Sequence, residues 1–306
     1  MYPQSIPAQV KSWSENIVEA PLAIRLEWAS PDGTGPFPAV LVHPDRDGTA
    51  LDMRGVIWDL ACRGYLAVAA DYQRLERGRY RRTLFPWRGD DDVTRVLERL
   101  RSHPQADARR LAALGFSQGG ILSLLIAARV PELKAVVAYY PVTDLNHWFN
   151  YPHPNLARRF VFRLIRRFFF KQSGARDEAE FQAILRRASP YAQAAHMAAP
   201  VLLIHGTADT SAPIEESRRL AARLSALGRV VDLLEVEGGR HVFNFKEPEQ
   251  AALAWRASLR WLHRHLGVTS APGPSACGGC REERPSEDEG GLGSATSSGG
   301  RPWTGR

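Results

Sequence analysis

The sequence predicts an α/β fold, a mostly parallel central sheet with helices on both faces, and three observations carry that expectation. Apolar runs of strand length alternate with segments of helical period over about 265 residues, the pattern of a layered α/β domain. A Gly-x-Ser-x-Gly stretch, Gly115-Phe116-Ser117-Gln118-Gly119, stands between one apolar run and one helical segment. A carboxylate and a histidine follow it, each in a loop behind a further apolar run.

Leu22 to Trp28 alternates and reads as a strand, Pro31-Asp32-Gly33 turns the chain, and Ala39 to Val42 is a buried central strand. Leu51 to Arg63 has helical period and stops at Gly64, a residue able to take the left-handed conformation that ends helices. Tyr65 to Ala70 is the next strand, Asp91 to Ser102 the next helix, ended by Pro104, and Leu111 to Leu114 the strand before the serine. Behind it come the helix Ile121 to Val130, the strand Lys134 to Tyr139, the strand starting at Val201, the helix Glu215 to Leu227, the strand Val230 to Val236 and a last helix, Glu247 to Leu266. No internal repeat is present.

The setting of Ser117 is that of a nucleophile elbow: a strand ends, a tight turn throws the hydroxyl outward, and a helix begins behind it. Glycines at both ends of the turn let two backbones approach without a Cβ between them. A serine hydroxyl is a poor nucleophile at neutral pH. It needs a histidine to take its proton and a carboxylate to fix and stabilise that histidine. Asp209, in the loop after Val201-Leu202-Leu203-Ile204-His205-Gly206, and His241, in the loop Gly238-Gly239-Arg240-His241, follow Ser117 in the order serine, acid, base. Alternatives stand beside each. Asp209 could cap the helix beginning near Pro213, Asp144 is the rival acid one strand earlier, and His205 is the rival base, although its apolar strand better suits a part in orienting the acid loop.

The blocks Gly-Phe-Ser-Gln-Gly-Gly, Ala188-Ser189-Pro190 with Pro200 to Gly206, and Gly239-Arg240-His241-Val242-Phe243 resemble α/β-hydrolases of the dienelactone hydrolase and prolyl oligopeptidase-like group. The resemblance covers Pro21 to Leu266. It implies an α/β-hydrolase fold and hydrolysis through Ser117. Dienelactone hydrolases proper usually carry cysteine where this chain has Ser117, which favours a serine esterase or peptidase-like branch.

A tetrahedral oxyanion needs two fixed N–H donors. The backbone of Gln118 offers one. The loop after Ala39 to Val42 should offer the other, yet where many relatives have His-Gly-Gly this chain has His43-Pro44-Asp45. Proline has no N–H, so Asp45 becomes the candidate, and the resemblance to dienelactone hydrolases points to the same position.

The hydrophobic share of 44% is ordinary for a globular chain of this size. The net charge of +7 comes mostly from dispersed arginine, with no nucleic-acid-binding motif. Three cysteines, Cys62, Cys277 and Cys280, make no secreted disulfide framework, and the single Cys-x-x-C is half a zinc site at most. The N-terminus lacks the basic start and apolar core of a signal peptide, so a cytoplasmic setting is expected. The chemistry requires neither metal nor cofactor.

About 60 residues separate Tyr140 from Val201, far more than a crossover helix needs. A cap insertion over about residues 145–190 is expected, with Val161, Leu164, Ile165 and Phe168 on one helical face covering the acyl site. A basic amphipathic helix on an anionic membrane is the second reading of this segment, and an apolar seam on the protein body the third. Tyr72, Trp87 and Trp148 are pocket candidates by chain position. Residues 1–266 form the expected catalytic domain, and 267–306, rich in Gly, Ser, Pro and acidic residues, a disordered tail.

The expected function is cleavage of a small carboxylic ester through an acyl-enzyme on Ser117. A peptidase releasing aminoacyl or acylaminoacyl units is the alternative, weakened by the lack of a β-propeller gate in the sequence. A catalytically silent binding protein on the same fold is the third, resting on the irregular Pro44 loop. Acyl length, leaving group and oligomeric state are not encoded legibly.

Overall fold

The computed structural model describes residues 2–19, 22–76, 79–82, 90–152 and 155–268. Trp87, Cys277, Cys280 and the tail beyond residue 268 lie outside the described residues.

The described residues form one mixed sheet. Its strands are β1 (Val10–Glu19), β2 (Leu22–Pro31), β3 (Phe37–His43), β4 (Leu66–Glu76), β5 (Arg79–Arg82), β6 (Ala106–Phe116), β7 (Ala135–Tyr139), β8 (Val201–Gly206) and β9 (Val231–Val236). They lie in the order β1-β2-β4-β3-β6-β7-β8-β9, with β5 folded back on β4. From β4 to β9 the neighbours on this path are parallel; β1, β2 and the β2/β4 pair are antiparallel.

Strand periodicity divides the core. Along β3, Val40 and Val42 enter one apolar cluster, shared with α1 (Arg54–Cys62) and α10 (Pro248–Leu266). Ala39 and Leu41 enter the other, shared with α2 (Asp90–Arg101), α3 (Gln118–Ala127) and α8 (Glu215–Ala226). Both faces of the central strands are therefore covered, which explains why they are continuously apolar rather than alternating. Gly64, just past α1, has φ +89, the left-handed stop expected there.

Two features depart from the sequence expectation. β1 was not anticipated; it pairs with β2 over its whole length at the antiparallel edge, and its serines on one side bond to Trp58 and Glu27 where apolar residues would be expected. The segment between β7 and β8 folds as α4 (Leu145–Phe149), α5 (Leu156–Ser173), α6 (Glu178–Arg187) and α7 (Pro190–Gln193). Its apolar cluster joins Phe149, Phe169, Phe181 and Leu185 to Ile121 and Leu125 of α3 and to Ala212. α5 is rotated from the expected register: Phe162 and Phe169 are buried and Ile165 half-buried, whereas Val161, Leu164 and Phe168 face solvent. The aromatic partners Trp148, 5.0 Å from Phe162, and Phe149, 5.1 Å from Phe169, decide which face packs. Leu164 and Phe168 are therefore exposed instead of packed against the body of the protein.

Candidate active site

Ser117, between β6 and α3, has φ 52 and ψ −112, a positive-φ conformation that L residues avoid unless surrounding contacts impose it. The contacts are backbone against backbone. A Cβ on Gly115 would lie 2.1 Å from the Gly119 carbonyl oxygen, and one on Gly119 would lie 2.4 Å from the carbonyl oxygens of both His43 and Pro44. Only glycine fits either position. The Ser117 N–H donates to the Tyr139 carbonyl at 2.9 Å, and α3 starts at once behind the turn.

The acid and base loops are fitted together in the same way. A Cβ on Gly206 would stand 2.1 Å from the Gly239 carbonyl oxygen. Ala208 N–H donates to Gly239 O and Thr207 N–H to Val236 O, and the Thr207 hydroxyl accepts from Gly238 N–H. This brings Asp209 and His241 to Ser117. The Ser117 Oγ lies 3.0 Å from His241 Nε2, and His241 Nδ1 lies 2.6 Å from Asp209 Oδ2. A carboxylate only accepts, so Nδ1 carries the proton and Nε2 is left to accept from the serine hydroxyl. The other oxygen of Asp209 accepts the N–H groups of Ser211 and Ala212 at 2.8 and 2.9 Å, so the acid is fixed by its own loop and is buried.

The rivals occupy other positions. Asp144 caps α4 through the N–H groups of Asn146 and His147 and pairs with Arg219 at 3.1 Å. His205 is wholly buried, and burial pushes its pKa down. Its Nε2–H donates to the Ala212 carbonyl at 2.8 Å and its Nδ1 accepts from Ser217 at 2.7 Å, so it is neutral and braces the acid loop, 3.6 Å from Asp209 Oδ2. Tyr72 is a buried partner of His43 Nε2 at 3.0 Å, and Trp148 donates from its indole to the Ser211 carbonyl at 2.8 Å. Tyr72 thus supports the root of the Asp45 loop and Trp148 the acid loop.

The loop carrying Asp45 is pinned to the elbow by the close approach of Gly119 to His43 and Pro44. Its shape is set by the Asp45 carboxylate, which accepts the N–H groups of Asp47 at 3.1 Å and Gly48 at 2.5 Å. The Asp45 N–H donates to no described residue. Below it, His43 is buried between Ser123 and Tyr72, and burial lowers its pKa to about 3.

One residue of the site escaped the sequence. Tyr140 follows β7 with φ 37, its ring 4.7 Å from the His241 ring and its hydroxyl donating to Asn244 at 2.5 Å. Burial, then the charges of Asp45, Tyr2, Tyr139 and Asp209, raise its pKa well above the phenol value, so it serves as a neutral wall behind the imidazole. Its only sequence signal was position, directly after the strand beside the elbow. Among the described residues no group of three or more His, Cys, Asp or Glu side chains gathers as a metal site, and no helix is long and apolar enough to cross a membrane.

The chain resembles known proteins along most of its length. A Yersinia pestis protein described as "Putative carboxymethylenebutenolidase" is 26% identical over 265 residues, covering 80% of this chain and 85% of that one. Esterase LipC of Mycobacterium tuberculosis is 28% identical over 233 residues, 69% of this chain and 54% of that one. The structure of the Pyrococcus horikoshii acylaminoacyl peptidase superposes with a TM-score of 0.68 at 20% identity, over 87% of this chain and 43% of that one. The sequence profile of the prolyl oligopeptidase family matches residues 87–269, and the chain belongs to that family: it is an enzyme of the serine hydrolase type built on the α/β-hydrolase fold.

Proposed function

We propose that the enzyme hydrolyses small carboxylic esters through an acyl-enzyme on Ser117. The hydrogen-bonded line from Ser117 through His241 to Asp209, at 3.0 and 2.6 Å, is the observation that carries this reading. Ser117 Oγ attacks the ester carbonyl carbon while His241 Nε2 takes the hydroxyl proton, and Asp209 stabilises the resulting imidazolium. The oxyanion is held by the N–H groups of Gln118 and Asp45, the first also at the positive end of α3. Collapse expels the alkoxide, which leaves as alcohol with the proton from Nε2. Water, deprotonated by His241, then attacks the acyl carbon and releases the acid, restoring the Ser117 hydroxyl.

Family membership favours a second reading, release of an aminoacyl or acylaminoacyl unit from a peptide. Esters are preferred because the relative matched over 85% of its own length bears the name of a butenolide-cleaving enzyme, while a Bacillus subtilis relative with a peptidase name, matched over 76%, keeps the second reading in play. The test is paired. Fluorophosphonate should label the full chain and not Ser117→Ala, and acetyl and butyryl esters should be turned over with higher kcat/KM than aminoacyl amides. Amides turned over as well as the esters would move the assignment to the peptidase reading. Absence of labelling would remove both.

A further inference from the structure

The outer face of α5 is the least expected surface of the molecule. Leu156, Phe160, Leu164 and Phe168 follow one another at four-residue spacing and are 74%, 60%, 51% and 47% exposed. That spacing aligns side chains along a helix. With Val161, they account for five of the twelve large hydrophobic side chains exposed among the described residues, so the exposure is concentrated on one helix.

A second stripe at the same spacing, Arg159, Arg163, Arg167 and Lys171, runs alongside and is also exposed. Arg163, Arg167 and Lys171 pair with no described carboxylate, and the helix contains no acidic residue. The opposite face holds the helix to the body: Phe162 and Phe169 are buried, Arg166 pairs with Glu178, and Arg158 donates to Thr210 at 2.6 and 3.0 Å. α5 is thus anchored from within and presents a mixed apolar and cationic face to the outside.

We infer that this face docks on an anionic lipid surface, with Phe160, Leu164 and Phe168 entering the headgroup boundary and Arg163, Arg167 and Lys171 meeting lipid phosphates. Charge complementarity selects this occupant. A two-fold pairing of α5 with a second copy of the chain would set the same cations against their own images, at a cost in like-charge repulsion. An anionic surface attracts every one of them, and an interfacial helix requires this combination of aromatic and aliphatic side chains with basic residues and no acids. The inference does not depend on the ester assignment, because it concerns a surface and not the reacting atoms.

The test is sedimentation of the full chain with vesicles of phosphatidylcholine containing phosphatidylglycerol, and with phosphatidylcholine alone. Binding is expected to the first only, and to fall steeply as salt shortens the screening length from about 10 Å at 0.1 M to about 3 Å at 1 M. Each cation near such a surface contributes about fivefold in affinity, so Arg163→Gln/Arg167→Gln/Lys171→Gln should weaken binding roughly a hundredfold. Leu164→Ser/Phe168→Ser should weaken it independently, and both variants should keep the parent's thermal melting and labelling by fluorophosphonate. No vesicle binding, or binding unchanged in both variants, overturns the inference. So does a dimer in solution that Leu164→Ser/Phe168→Ser dissociates, since a second copy would then cover the face.

Discussion

The elbow around Ser117 and the helix α5 are both dense in unusual residues, but they are determined by different contacts. At the elbow, backbone meets backbone: hypothetical Cβ atoms on Gly115 and Gly119 fall 2.1 to 2.4 Å from carbonyl oxygens. Under α5, side chain meets side chain, through Phe162, Ile165 and Phe169 against Trp148, Phe149 and Phe181. Only one residue type satisfies the first kind of contact, so it leaves a signature in the sequence. Any large apolar residue satisfies the second, so a helix with two apolar faces does not announce which one packs.

The largest expected effects lie at the elbow and the two loops fitted to it. Ser117→Ala and His241→Ala should each lower kcat for ester hydrolysis by about 10⁴-fold or more, and the double variant should be no worse, because the groups act as one unit. Asp209→Asn should cost somewhat less, about 10³- to 10⁴-fold. Asp144→Asn should stay near the parent rate, since Asp144 caps α4 and pairs with Arg219 instead of reaching His241. Steady-state kinetics on one soluble ester compares all five variants. A greater loss from Asp144→Asn than from Asp209→Asn would move the acid to the end of β7 and break the picture of a site built from backbone-matched loops.

Smaller, but still specific to the elbow, is an acid limb in stability. His43 sits in the core beneath the turn, and burial alone lowers its pKa from 6.5 to about 3. The unfolded chain therefore takes up a proton below pH 6.5 that the folded chain refuses until about pH 3. The stabilisation due to neutral His43 is complete above that upper value and is lost as pH falls through the window, at up to about 1.4 kcal/mol per pH unit. Urea midpoints at about pH 7 and about pH 5 should show this slope, and His43→Gln should flatten it. An unchanged slope in the variant would place the acid sensitivity elsewhere, His205 in the acid loop being the next buried imidazole.

What could be read from the sequence follows the same division. The alternation of strands and helices, the stop at Gly64, and the order Ser117, Asp209, His241 rest on periodicity and glycine, which are local properties. The assignment of His205 to the acid loop followed from its apolar strand, and its bond to the Ala212 carbonyl agrees. The register of α5 was misread because the residues at 161, 164, 165 and 168 and those at 162, 165 and 169 are both apolar, and only the ring contacts distinguish them. β1 was missed for a related reason. One side of the strand meets polar partners, Trp58 Nε1 and Glu27, so Ser12 and Ser14 diluted the pattern together with Asn16. Tyr140 was invisible as a site residue because its place behind His241 depends on a positive φ at the end of β7.

The smallest expected effect tests how far the two regions are independent. Arg158 of α5 donates to the carbonyl and hydroxyl of Thr210, next to Asp209, and so bonds the helix directly to the acid loop. Asp209 is nevertheless fixed by other bonds, accepting from Ser211 and Ala212 N–H, while Trp148 holds the Ser211 carbonyl. A hydrogen bond at an exposed site contributes about 1 kcal/mol or less. Arg158→Ala should therefore lower kcat for a soluble ester by about threefold and leave KM nearly unchanged, since the arginine acts through the loop and not on the substrate. A loss above about a hundredfold would mean that α5 and the acid loop form a single unit. The side-chain packing of the insertion would then control the reacting groups as strictly as the glycine contacts do.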